Sequence, residues 1–179
     1  MRQLLKSSLV NLRVIKGSDN EKAFVVEMFM VEDIRRYYFL NAVQAAQLDM
    51  YVENMAAANV GGTELNCIIE RKDGTKVGLI SVVPEMYDAM MCAWNVSYAV
   101  ASAYRRKGYA YDALRYLICV LQITSIPYIM LDISENNKAS EQLAIKLGFE
   151  KRRGKEHLFD KRHPDFGYHN FWIRGTSTK

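Results

Sequence analysis

Residues 96–111 read Val-Ser-Tyr-Ala-Val-Ala-Ser-Ala-Tyr-Arg-Arg-Lys-Gly-Tyr-Ala-Tyr. The stretch opens on a β-like run, Val96 to Val100, and crosses a polar turn that holds the cations Arg105, Arg106 and Lys107. It then reaches Gly108 and Ala110 at the start of an amphipathic helix. A strand that feeds a helix through a basic, glycine-containing turn suits phosphate. The first amides of the helix have no intrahelical acceptor, and the helix dipole favours an anion there. Gly108 lets the backbone approach a ligand closely, and Ala110 keeps a side chain out of the way. A solvated turn would use the same residues, so this stretch alone leaves both readings open.

Downstream, Leu114, Leu117, Ile118 and Leu121 share one helical face, and Asp112 sits in the first turn, where a carboxylate suits the dipole. Ile126-Pro127 stops that helix. Tyr128 to Ser134 reads as a buried strand, and a helix from Asn137 ends at Gly148. Lys151 to Leu158 and Asn170 to Arg174 read as closing strands. Upstream, Leu9 to Ile15 alternates as a strand, and Ser18-Asp19-Asn20-Glu21 is a capping box. The helix it opens carries Phe24, Met28 and Val31, with Ala23, Val26, Met30 and Ile34 beside them, and is expected to be well buried. Asn41 is expected to cap a second helix with Leu48, Tyr51, Val52 and Met55 at helical spacing, closed by Val60-Gly61-Gly62. Leu65 to Arg71 and Lys76 to Val83 form a hairpin about Asp73-Gly74. Pro84-Glu85 is expected to turn the chain into a third strand, Met90 to Val100.

The 179 residues suffice for a single domain, 1–179, with a core that needs neither disulfide nor metal. A net charge of +4 suits an anionic ligand and is too weak to argue for nucleic acid. Cys67, Cys92 and Cys119 lie in apolar runs without a C-x-x-C pair, which predicts buried, reduced thiols in a cytoplasmic protein. His157, His163 and His169 do not stand at ligand spacing from them, so no metal is expected. No apolar run reaches the length of a membrane helix, and Lys6, Ser7 and Ser8 interrupt the N-terminal apolar residues.

Arg105-x-x-Gly108-x-Ala110 fits the R/Q-x-x-G-x-G/A pyrophosphate loop of the GCN5-related N-acetyltransferase (GNAT) superfamily. A second run, Asn137-x-x-Ser140-x-x-Leu143-x-x-Lys146-Leu147-Gly148-Phe149, resembles that family's later helix. Two motifs in the right order are much harder to obtain by chance than one. The element order from Leu12 to Ile173 follows the family, and the early helices and Leu-Gly-Phe ending look most like its ribosomal-protein N-terminal (alanine) acetyltransferases. The resemblance implies an α/β fold: a mixed, mostly antiparallel sheet flanked by helices, with a cofactor cleft between splayed strands. It also implies acetyl-CoA as cosubstrate and a primary amine as acceptor, on a protein N-terminus or a small molecule. A monomer or homodimer with no nucleic-acid or membrane partner is expected.

Carried over residue by residue, the resemblance assigns the pyrophosphate to the backbone of Arg105, Arg106, Lys107, Gly108, Tyr109, Ala110 and Tyr111. The coenzyme arm falls to the backbone of Tyr98, Ala99 and Val100, with Asn137 hydrogen-bonding the arm, capping its own helix, or both. Asp132 stands inside an apolar strand, where desolvation would raise its pKa toward that of a useful base. Its place matches a glutamate base of some N-terminal acetyltransferases, and a structural, ion-paired Asp132 is the competing reading. Glu70 and Glu85 are weaker candidates. The tyrosine acid of many family members is replaced by Ala144, which leaves Ser140 as the nearest matching hydroxyl, or leaves a thiolate that departs unaided. The aromatics Tyr37, Tyr38 and Phe39 are either acceptor contacts or core. Lys151, Arg152, Arg153, Lys155, Lys161 and Arg162 form a basic cluster that fits a ribose phosphate or a solvated face. No serine or cysteine has a histidine partner in place, so direct attack by the amine is expected. A non-catalytic acyl-CoA sensor of the same fold is the alternative. A nucleotide-phosphate binder is disfavoured because no Gly-Lys-Ser/Thr follows the loop.

Overall fold

The computed structural model describes residues 9–32, 34, 45–88, 91–152 and 169–176. Its elements are β1 (Val10–Val14), α1 (Asp19–Phe29), α2 (Ala45–Gly61), β2 (Leu65–Arg71), β3 (Lys76–Asp88), β4 (Met91–Val100), a short 3-10 turn (Ser102–Tyr104), α3 (Tyr109–Leu121), β5 (Tyr128–Ser134), α4 (Lys138–Lys146), β6 (Glu150–Arg152) and β7 (His169–Gly175). The strands make one sheet in the order β1-β2-β3-β4-β5-β7-β6. Every neighbouring pair is antiparallel except β4 with β5. That parallel pair runs only from Ala93↔Tyr128 to Asn95↔Met130, after which the two strands part.

Strand alternation sends side chains to two separate cores. Ile80, Val96 and Leu131 face Leu114 and Leu117 of α3 on one side of the sheet. Ile68 and Leu79 face Val25, Phe29, Leu48 and Val52 of α1 and α2 on the other. The Asp73-Gly74 turn forms as expected, with Gly74 at φ 85° and Asp73 Oδ1 accepting the Thr75 amide at 3.0 Å. At the head of α1, Glu21 reaches back to the Ser18 amide (2.9 Å) and also accepts from the Lys16 amide and the Arg13 guanidinium. Burial pushes the Glu21 carboxyl up, yet those hydrogen bonds outweigh it and hold it below the ordinary glutamate value.

Two local expectations are corrected. Pro84-Glu85 is not a turn, because β3 runs on to Asp88 and Pro84 pairs with Trp94. The pairing of β3 with β2 ends at Leu65↔Val82, so Pro84 lies on a locally open edge where the missing N–H breaks no ladder bond. Helix α1 stops at Phe29 and buries Glu21, Val25, Met28 and Phe29, while Met30 and Val31 are exposed. The expected cap Asn41, the aromatics Tyr37, Tyr38 and Phe39, and the cations Arg153, Lys155, Lys161 and Arg162 lie outside the described residues. Of the basic cluster, Lys151 pairs with Glu141 (3.6 Å) and Arg152 with Glu150 (3.0 Å). The three cysteines are free: Cys67 is buried, and Cys92 and Cys119 are half-buried. Burial pushes the Cys67 thiol up to about 11, so it is no nucleophile at neutral pH.

Asp112 does more than complement a dipole. Its carboxylate is 3% exposed and accepts the amides of Leu9 (2.8 Å) and Val10 (3.2 Å) together with Arg115 (3.2 Å). The first turn of α3 is thereby tied to the start of β1, about a hundred residues away in sequence. Asp112→Ala removes the carboxylate shared by the Leu9 amide, the buried Val10 amide and the Arg115 guanidinium. It is expected to destabilise the fold by about 2–4 kcal/mol in urea titration.

Candidate functional site

The turn between β4 and α3 is shaped by two left-handed residues, Arg106 at φ 60° and Gly108 at φ 83°. Such a turn aims successive amides to one side and makes a concavity for an anion. A Cβ on Gly108 would meet only Leu9 Cδ1 at 3.4 Å, an ordinary contact, so the backbone conformation rather than crowding calls for glycine. The amides of 109–111 open α3 without intrahelical acceptors. Side chains staple the turn from outside: Arg105 Nε donates to the Val100 carbonyl (3.1 Å) and Lys107 Nζ to the Ala103 carbonyl (3.0 Å).

A cavity of about 650 Å³ opens against this turn. Tyr98, Ala99 and Val100 of β4 form one wall; Arg105, Arg106, Gly108, Tyr109, Ala110 and Tyr111 form the second; Asn137 and Ser140 of the α4 region form the third. The two sequence motifs, some thirty residues apart, therefore meet at one place. Lys107 and Asp132 do not line this cavity. Ile34, Tyr104, Asn136, Lys138, Ala139 and Leu143 do, without having been singled out as site residues. Most of them flank the motif positions and could have been found by extending each motif by a residue or two. Asn137 Oδ1 accepts the Ser140 amide at 3.1 Å, so the helix-cap role is met.

The side chain that sequence reasoning overlooked is that of Tyr98, which had been assigned only through its backbone. It points to the α3 and α4 side of the sheet, and its hydroxyl is buried without a fully formed hydrogen bond. Burial pushes the phenol up to about 12, and the Ser140 hydroxyl close by opposes that rise. A phenol so placed stays neutral across the working range and is a standing hydrogen-bond donor. Ala144 is fully buried in the core against which Tyr98 packs. The only sequence signal was a tyrosine on the inward phase of β4.

Asp132 is half-buried on β5. It shares a face with Met130, whose contacts are Ala93 and Ile173, whereas Ile129, Leu131 and Ile133 face α3. The 650 Å³ cavity and Asp132 thus approach the parted β4 and β5 strands from different sides. Glu70 is engaged by Arg13 (2.7 Å) and Glu85 by Asn95 (2.6 Å). Among the described residues no cluster of His, Cys, Asp and Glu forms a metal site, and no helix is long and apolar enough to cross a membrane.

A turn whose amides converge at a helix N-terminus, beside a gap between two parting parallel strands, has the chemistry to receive an anionic, phosphate-bearing ligand. The family model described as an acetyltransferase (GNAT) domain matches residues 10–150, and the chain belongs to that family. Its activity is acetyl-CoA-dependent N-acetyl transfer, with acetyl-CoA as the cosubstrate. Solved structures share the fold. Spermidine N-acetyltransferase from Vibrio cholerae, in complex with CoA and spermine, superposes with a TM-score of 0.75 at 15% identity over 93% of this chain and 95% of its own. RimL, a ribosomal alpha-N-protein acetyltransferase in complex with coenzyme A, gives 0.77 at 12% identity over 94% and 95%. An acetyltransferase from Salmonella typhimurium that modifies the N-terminal serine of a ribosomal protein gives 0.77 at 14% identity over 94% and 96%. Comparison of the sequence with curated proteins gives no match.

Gly108→Glu puts a carboxylate at the anion end of α3 and strains a left-handed backbone by about 1–2 kcal/mol. The variant is expected to fold and to lose CoA affinity by about a hundredfold or more in calorimetry; unchanged affinity would move the coenzyme elsewhere.

Proposed function

We propose that this chain acetylates a primary amine presented from the α1 and α2 face of the sheet, while acetyl-CoA is held on the α3 and α4 face. The observation that carries the reading is the end of β4–β5 pairing after Asn95↔Met130. It leaves a slot through the sheet between the cavity on one side and Asp132 on the other. The amides of 106–111 and the Arg105 and Arg106 cations suit a pyrophosphate. The outer edge of Tyr98 to Val100, no longer paired to β5, suits the amides of a coenzyme arm. Bound acetyl-CoA supplies the acetyl group as a thioester.

On this reading Asp132 takes the proton from the incoming ammonium, directly or through one water, and keeps the amine nucleophilic at the slot. Ser140 presents its hydroxyl to the cavity, and the neutral Tyr98 phenol beside it orients that hydroxyl and supplies a second donor. Neither is acidic enough to protonate a thiolate outright, so they stabilise negative charge on the departing sulfur by hydrogen bonding. The second proton, shed by the nitrogen as the tetrahedral adduct collapses and the C–S bond breaks, passes to that sulfur directly or through water. Tyr98 thus brings a phenol from β4 to the side of α4 where Ala144 provides none, as a hydrogen-bond donor and not as an acid. The acceptor is an amine of the kinds handled by the structural neighbours, a polyamine or a protein N-terminus. A reducing cytoplasm suits the three free cysteines.

Thiol release from acetyl-CoA, measured against N-terminal peptides and polyamines, tests the reaction. Asp132→Asn is expected to lower kcat by about a hundredfold with CoA affinity kept; wild-type rates across pH would make Asp132 structural. Ser140→Ala and Tyr98→Phe should each lower kcat by about tenfold. Tyr98→Phe removes an unsatisfied buried hydroxyl and is expected to leave thermal stability equal or higher, which separates its role from packing.

A further inference from the structure

A second cavity, of about 280 Å³, lies on the other face of the sheet beneath Tyr51, Asn54 and Met55 of α2. Strand register builds its floor. Asn66 stands opposite Ser81, and Ser81 opposite Ser97, so three polar side chains cross β2, β3 and β4 in one row. Ile68 and Leu79 lie fully buried on the same face, and Asn66 and Ser81 are buried with them. Ser97 is exposed at the end of the row, near Asn95 and Glu85, which hydrogen-bond each other. Valine or isoleucine would fill such positions at no polar cost, and buried polar groups persist in a core when something satisfies them.

Within the protein two of them are not satisfied. Asn66 Oδ1 and Ser81 Oγ are buried without a hydrogen-bond partner, in residues only 1% and 5% exposed. The Asn66 amide nitrogen is already committed to the Met55 carbonyl (3.4 Å) and to Glu64 Oε2 (3.0 Å). What remains for an occupant is an acceptor oxygen, a serine hydroxyl and the Glu64 carboxylate. Of the residues lining the cavity, one is a carboxylate and none is Lys, Arg or His. Donor-rich, positively charged groups complement that set; anions do not.

The row also points somewhere. Continued past its last bonded pair, the β4–β5 register brings Asp132 level with Ser97 across the slot, on the same face of the sheet. Three strand spacings of about 4.8 Å, the last widened where β4 and β5 part, put the Asn66 end on the order of 15 Å or more from Asp132. We propose that this row is a binding track for an extended aliphatic amine with two or more protonated nitrogens. One ammonium sits at Asn66, Ser81 and Glu64, and the nitrogen to be acetylated sits at Asp132. The inference rests on the reading of Asp132 as the acceptor side of the slot and adds the class of acceptor.

Calorimetry on the CoA-loaded protein tests it with a linear triamine, a monoamine of matching chain length and an uncharged diol. The triamine is expected to bind at least about tenfold more tightly than the monoamine, and the diol not at all. Glu64→Gln and Ser81→Val should each weaken the triamine by about tenfold while CoA affinity, measured in the same samples, stays at the wild-type value. Equal binding of triamine and monoamine, or triamine binding indifferent to both substitutions, overturns the track and leaves the row as a solvated structural feature. Triamine binding that depends on Glu64 and Ser81 without any acetyl transfer overturns the acceptor assignment. Acetyl transfer that survives Asp132→Asn would instead strike at the base and not at the site.

Discussion

The structure turns on a pairing that stops. β4 and β5 share three residue pairs and then diverge, so Val96 to Val100 keep β3 on one side and have no strand on the other. Backbone amides and carbonyls in a sheet interior are costly to leave unpaired. Opening the sheet is stable only where other donors and acceptors complete the ladder, as the Arg105 guanidinium does for the Val100 carbonyl. The parting gives both faces access to one point, and the helix turn that begins after Val100 is set at its rim.

Keeping such a slot open demands that the elements around it be fixed from outside. Asp112 joins α3 to the first strand, and Glu21 joins α1 to the end of that strand through Lys16 and Arg13. The two buried carboxylates act on opposite sides of the sheet, each accepting several donors, which is the arrangement in which a buried charge is tolerated. Each helical layer is therefore anchored to β1, and the core side chains of Leu114, Leu117, Phe29 and Leu48 fill the space between.

Polar groups are divided between the faces in a way that matches two different ligands. The α3 side offers amides and cations at the helix start and, deeper in, the Tyr98 and Ser140 hydroxyls. The α2 side offers acceptor oxygens and a carboxylate. On the proposed reading, a coenzyme rich in phosphate and a protonated amine each find complementary charge on their own face, which sorts the two substrates by charge.

What the chain could reveal by itself was local. The turn from Arg105 to Ala110, the Asn137 cap and the Asp73-Gly74 hairpin each depend on residues within a few positions of one another, and each formed where its chemistry placed it. Pro84 reads locally as a turn, because its tolerance within a strand depends on how far β2 reaches. The remaining features belong to contacts between distant segments. That Tyr98 meets Ser140, that Asp112 holds the amides of Leu9 and Val10, and that Asn66, Ser81 and Ser97 fall in one row all follow from strand register and helix docking. A one-residue shift in register would turn every such side chain to the other face. The sequence determined which pieces form and which family they make; packing alone decided which side chains confront each other across the slot, because those distances are set by the sheet and not by the chain between them.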